Sequence, residues 1–138
     1  MQPDLQFSVL CDDVRREDNG KLMLIGLLEA LGGPHYPLVY PGLHVVNRWC
    51  NGEGEWKQRV RLVGAENQVL VETAESPVIL PEPMANVTAV SLFRNIQFPK
   101  PGRYWVEVLL NNDLKQRYPL MALEIRPQEP PRQGSGPP

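Results

Sequence analysis

The sequence predicts an all-β fold: an antiparallel β-sandwich, immunoglobulin-like in general architecture, with about eight strands. Apolar and polar residues alternate with a period of two through most of the chain, the spacing of a pleated strand and not of a helix. Turn-forming clusters separate those segments: Asn19-Gly20, Asn51-Gly52-Glu53-Gly54, Pro99-Lys100-Pro101-Gly102 and Asn111-Asn112-Asp113. The long proline-rich connections suit strands that change sheets, and the hairpin turns favour antiparallel pairing.

Leu5 to Val14 sets Leu5, Phe7, Val9 and Cys11 against Gln6, Ser8, Leu10 and Asp12, a strand with one inward face. Arg15 to Asp18 is polar and leads into the Asn19-Gly20 turn. Lys21 to Ala30 is an apolar run; the turn before it and Gly26 within it favour a strand covered on both faces. Leu31 to Gly42 holds too many glycines and prolines for a helix. It reads as a long crossover loop that lays His35, Tyr36 and Tyr40 against the end of the sandwich. Gln68 to Thr73 is a short strand. Glu75 to Pro83, with Pro77, Pro81 and Pro83, is a loop or a sheet-edge segment. Asn86 to Phe98 is a strand. So is Arg103 to Leu110, with Tyr104, Val106, Val108 and Leu110 inward and Arg103, Trp105, Glu107 and Leu109 on the other face. Leu114 to Ile125 returns, broken once by Pro119. Residues 127–138 carry almost no apolar side chain to bury and are expected to be a disordered tail, leaving one domain over 1–126.

The most concentrated side-chain chemistry lies on Leu43 to Val63, LHVVNRWCNGEGEWKQRVRLV. Leu43, Val45, Asn47 and Trp49 alternate with His44, Val46, Arg48 and Cys50. After the Asn-Gly turn, Trp56, Gln58, Val60 and Leu62 share one face, and Lys57, Arg59 and Arg61 share the other. This predicts a hairpin whose basic row meets water or an acidic partner. Trp and Arg are favoured at interface centres because they combine apolar area with fixed polar geometry. The candidate binding residues are therefore Arg48, Trp49, Glu53, Glu55, Arg59 and Arg61, with Tyr36 and His44 nearby. The competing reading puts at least one of Trp49 and Trp56 in the core and pairs the charges across strands.

Composition narrows the classes. A net charge of -2 argues against a general nucleic-acid binder. No apolar run is long enough to cross a bilayer. Met1-Gln2-Pro3-Asp4 opens no signal peptide, so a cytoplasmic location is expected, with Cys11 and Cys50 as reduced thiols. His35 and His44 sit on different elements without a cysteine pair, which is not zinc spacing. Asp12, Asp13, Glu17 and Asp18 are interleaved with Arg15 and Arg16, which offsets their charge against calcium. Cys50 has Arg48 and His44 near it but no readable oxyanion arrangement, so it reads as an inert thiol. No catalytic residue, metal or cofactor is expected.

Cys11 to Glu29, Val45 to Trp56, Gly102 to Leu114 and Arg117 to Leu120 together resemble a bacterial family of uncharacterised domains. The resemblance spans nearly the whole chain except the tail. It implies a small cytoplasmic β-domain, and neither an activity nor functional residues. The Gly102-Arg103-Tyr104 turn is also similar to the last hairpin of immunoglobulin-like domains. The resulting expectation is a non-enzymatic interaction module that binds another protein, or a second copy of itself, through the central hairpin face or a sheet edge. The alternative is a small-molecule or carbohydrate binding domain, or an unrecognised enzyme, with a pocket near residues 34–50. A deep cleft lined by Tyr36, Tyr40, His44 and Arg48 would favour that alternative.

Overall fold

The period-two alternation becomes ten strands in a computed structural model that describes residues 1–126, with no helix among them. The expected disordered tail lies outside the described residues. The strands exceed the expected eight or so because the proline-rich stretches contribute β3 (Ala30–Gly33) and β7 (Ser76–Leu80). The others are β1 (Asp4–Arg16), β2 (Leu22–Leu27), β4 (Leu38–Cys50), β5 (Gly54–Val63), β6 (Val69–Glu72), β8 (Val87–Phe98), β9 (Gly102–Leu110) and β10 (Asp113–Glu124). One sheet has the order β2-β1-β4-β8. The other has the order β3-β10-β9-β5-β6, with β7 on the near half of β5. All pairs are antiparallel except β3 with β10.

The sheets pack face to face. Leu43 and Val45 of β4 and Phe93 of β8 share a buried cluster with Val60 and Leu62 of β5, Val106 of β9 and Leu120 of β10. A second cluster at one end gathers Trp49, Val78, Leu80, Val108 and Leu110. The inward set expected for β9 is observed: Tyr104, Val106, Val108 and Leu110 are all buried. Tyr104 packs edge-on against Phe98, with ring centroids 4.9 Å apart. Its hydroxyl donates back to the Lys100 carbonyl at 2.6 Å, fastening the turn into β9 in the manner of sandwich tyrosine corners. The β9–β10 turn uses Asn111 and Asn112 at φ 47° and 68°, the left-handed pair that a tight hairpin requires. Pro119 does not break β10. It lies where β10 has only β9 beside it, since β3 joins at Met121, so the missing N–H costs no second ladder.

The central stretch is not a hairpin. β4 and β5 belong to different sheets, and Asn51 to Glu53 arches between them. β4 already has β1 along one edge and β8 along the other, so no edge is free for β5. Gly52 is pressed so closely on Pro3 that a Cβ would lie 2.5 Å from the Pro3 Cα. Across the arch the strands meet by side chains and not by backbone. Trp49 Nε1 donates to Gln58 Oε1 at 2.8 Å, and Asn47 Nδ2 donates to the same oxygen at 3.2 Å, all three residues being buried. Side-chain alternation is identical for an arch and for a hairpin; the consequence differs. Rows that a hairpin would set on one surface, Arg48 with Arg59 and Arg61, stand on opposite outer surfaces.

Two further expectations change. Leu31 to Gly42 crosses between sheets, but the true loop is only residues 34–37, because β3 and β4 claim the flanks. β2 is not covered on both faces: it is an edge strand with Met23, Ile25 and Leu27 exposed. Beyond Cys11, β1 pairs only with β2, so the two form an arm that parts from β4, whose residues 38–43 run on beside β8 alone. Gly26 takes φ 72° at the base of this arm, where a Cβ would meet the Asp12 carboxylate at 2.7 Å.

Candidate functional site

The outer face of the six-stranded sheet carries the densest charge and aromatic chemistry. β5 presents Arg59 and Arg61 outward because Gln58, Val60 and Leu62 turn inward. β9 lies beside β5 and presents Arg103, Trp105 and Glu107 on the same surface. The register sets Arg61 of β5 and Arg117 of β10 directly opposite Glu107, one from each side. Arg61 Nε donates to Glu107 Oε1 at 2.6 Å, and Arg117 Nε lies 3.5 Å from Oε2. The Glu107 side chain is only 9% exposed, so these two cations compensate a carboxylate largely removed from water.

Next along β9, Trp105 is stacked by guanidinium groups. The Arg117 carbon sits 4.3 Å from the ring centroid and the Arg103 carbon 5.5 Å. Each such contact contributes about 0.5–2 kcal/mol, depending on desolvation. Arg117 also reaches Asn67 Oδ1 at 3.4 Å, and Arg59 donates through Nη2 to Asn112 Oδ1. Arg59, Arg61, Arg103 and Arg117 thus face two carboxylates, Glu107 and Glu72, the latter opposite Arg61 on β6. On a chain with net charge -2, this surface is locally positive.

The other expected site residues separate. Trp49 is fully buried and belongs to the core, so it is not a surface anchor. Trp56 is part-buried and donates to the Glu53 carbonyl at 2.9 Å, tying down the arch. Glu53 and Glu55 are exposed at that end, away from the Arg61–Glu107 row. Arg48 and His44 stand on the outer face of the other sheet. His44 Nδ1 lies 3.0 Å from the Asp12 carbonyl. The Tyr40 hydroxyl donates to the Asp12 carboxylate, and burial, aided by that carboxylate, pushes the phenol up to about 12. Tyr36 donates to the Leu123 carbonyl at 2.7 Å. Tyr40 and His44 thus converge on Asp12, whereas Tyr36 is turned to β10. Arg48 instead lines a cleft with Arg16 and Lys21.

Cys11 and Cys50 are free thiols on neighbouring strands of one sheet, Cys11 opposite His44 and Cys50 opposite Asp4. They are offset along the strands and cannot pin the two sheets together. Burial pushes the Cys11 thiol up, away from the reactive thiolate. Among the described residues, no three of His, Cys, Asp and Glu gather closely enough to hold a metal ion. No helix there is long and apolar enough to cross a membrane. Alternation places Arg103, Trp105 and Glu107 on one face of β9, but nothing in that strand's sequence links them to Arg61. That link depends on the register of β5 against β9 and is not written in either strand alone.

A family model described as "Family of unknown function (DUF6941)" matches residues 6–123. No curated protein matches the chain at a significant level.

Proposed function

The chain belongs to the family of unknown function DUF6941, and we propose that it is a non-enzymatic protein-interaction module that docks an acidic segment of a partner on the outer face of its six-stranded sheet. The observation that carries this reading is Trp105 stacked by Arg103 and Arg117 beside the Arg61–Glu107 pair. Tryptophan and arginine held rigidly by neighbours lose little side-chain freedom on binding, which is what an interface centre requires. Glu107 fixes Arg61 and Arg117 without neutralising the whole face, so Arg103 and Arg59 are left to attract carboxylates. We place this activity in the cytoplasm, in keeping with two unpaired cysteines.

The test is to isolate the partner from native lysate and measure its affinity as ionic strength rises. Steep weakening with salt, and loss of binding in Trp105→Ala, are expected. Salt-independent binding that survives Trp105→Ala would refute the reading.

A further inference from the structure

The β1–β2 arm separates from β4 beyond Cys11. Its tip leans back over the outer face of the four-stranded sheet, because Arg16, Gly20, Lys21, Leu22 and Leu24 line one open cleft with Phe7, Val46, Arg48 and Thr88. Val46, although it points away from the sandwich core, is 1% exposed. The cleft has a volume of about 600 Å³, within the range of small-molecule sites.

Its lining is divided in chemistry. Phe7, Val46, Leu22 and Leu24 supply apolar walls. Arg16, Lys21 and Arg48 supply positive charge, and the lining contains no carboxylate. None of these three cations forms a salt bridge with any described carboxylate, unlike Arg61 and Arg117 on the opposite sheet. Arg16 donates only to the Gly20 carbonyl, at 3.2 Å. Arg48 Nε, like Arg59 Nε on the opposite sheet, is buried and has no hydrogen-bond partner; only Arg48 also lines a cleft with two further cations. A buried donor left without an acceptor is costly, and a ligand oxyanion would remove that cost.

We propose that this cleft binds an oxyanion carried on an apolar body, a carboxylate or a phosphate monoester with a short hydrocarbon chain. The anionic head meets Arg48, with Arg16 and Lys21 closing from the arm, and the hydrocarbon lies against Phe7, Val46, Leu22 and Leu24. This site is independent of the arginine–tryptophan face, since it lies on the other sheet.

The experiment is an isotope-labelled titration of the full chain with octanoate and with octyl phosphate. Octanol serves as the uncharged control and inorganic phosphate as the control without a tail. Saturable shifts at Leu22, Leu24 and Val46 with one or both amphiphiles are expected, and whichever binds more tightly identifies the head group. Octanol and inorganic phosphate should bind at least about tenfold more weakly, the scale of one lost charge-assisted interaction. Arg48→Met should lose about tenfold in affinity, with Arg48→Lys recovering part of it. Arg16→Met, at an exposed tip position, gives the same reading if Arg48→Met does not fold. Equal binding of octanol, no saturable binding of either amphiphile, or unchanged affinity in the folded arginine variants would overturn the proposal.

Discussion

Gln58→Met removes the one side chain that joins the two sheets by polar contact at the arch. Gln58 is 1% exposed, and Asn47 and Trp49 are fully buried. Methionine nearly matches glutamine in volume, so the change opens little cavity. It does leave the Trp49 indole N–H and the Asn47 amide without their shared acceptor, Gln58 Oε1. Each stranded buried donor costs about 1–3 kcal/mol, so the expected loss for the two is roughly 2–6 kcal/mol. That is a large fraction of the 5–15 kcal/mol typical of a domain this size. The assay is urea denaturation followed by tryptophan fluorescence, comparing midpoints at constant slope. Trp49→Phe removes one of the stranded donors. In a double-mutant cycle, Gln58→Met should therefore cost about 1–2 kcal/mol less in the Trp49→Phe background. A loss below about 0.5 kcal/mol, or no coupling with Trp49, would refute the bridging role given to Gln58.

Other outcomes follow from the same geometry. Burial pushes the Tyr118 phenol up to about 12 from its ordinary 10, although its bond to Ser8 opposes the shift. Because the folded value is the raised one, its stabilisation of about 2–3 kcal/mol is fully present below pH 10 and is lost as pH rises through 12. Tyr118→Phe should flatten that alkaline fall in a pH series of melting temperatures, and an unchanged slope would contradict it. Gly52→Ala drives a Cβ into the Pro3 backbone and should destabilise by about 2 kcal/mol or more, whereas a neutral substitution would mean the arch does not rest on the amino-terminal segment. On composition alone, deleting residues 127–138 should leave the melting temperature unchanged, and a clear drop would show that the tail contributes to the fold.

Facing within a strand was legible because it depends only on the local pleat. Tyr104, Val106, Val108 and Leu110 turn inward as the alternation requires, and Trp49 falls with Val45 in the core. Pairing was not legible, because it depends on which edges are already occupied. Leu43 to Val63 satisfies hairpin and arch patterns equally, and only the presence of β1 and β8 on both sides of β4 decides for the arch. The same limit governs the candidate site. Arg59 and Arg61 were marked by composition, but Glu107 and Trp105 join them through register with β5 and β10. In β8, the inward set changes phase after Phe93: Ile96 and Phe98 are buried. There Asn95 takes φ 51° opposite Pro41, and that pair drops out of the ladder. A positive-φ asparagine facing a proline is a device no single strand pattern reveals.

The most direct measurement is affinity capture from native lysate with three forms of the chain. They are wild type, a Trp105→Ala, Arg103→Glu variant on the six-stranded face, and an Arg48→Ala variant on the opposite face. Arg103 makes no ion pair within the described chain, and its contact with Trp105 is already removed in the same variant. The expected result is a protein enriched by wild type, retained by Arg48→Ala and lost with the double variant while its melting curve stays cooperative. Retention by the double variant, or loss with Arg48→Ala alone, would contradict docking on the six-stranded face.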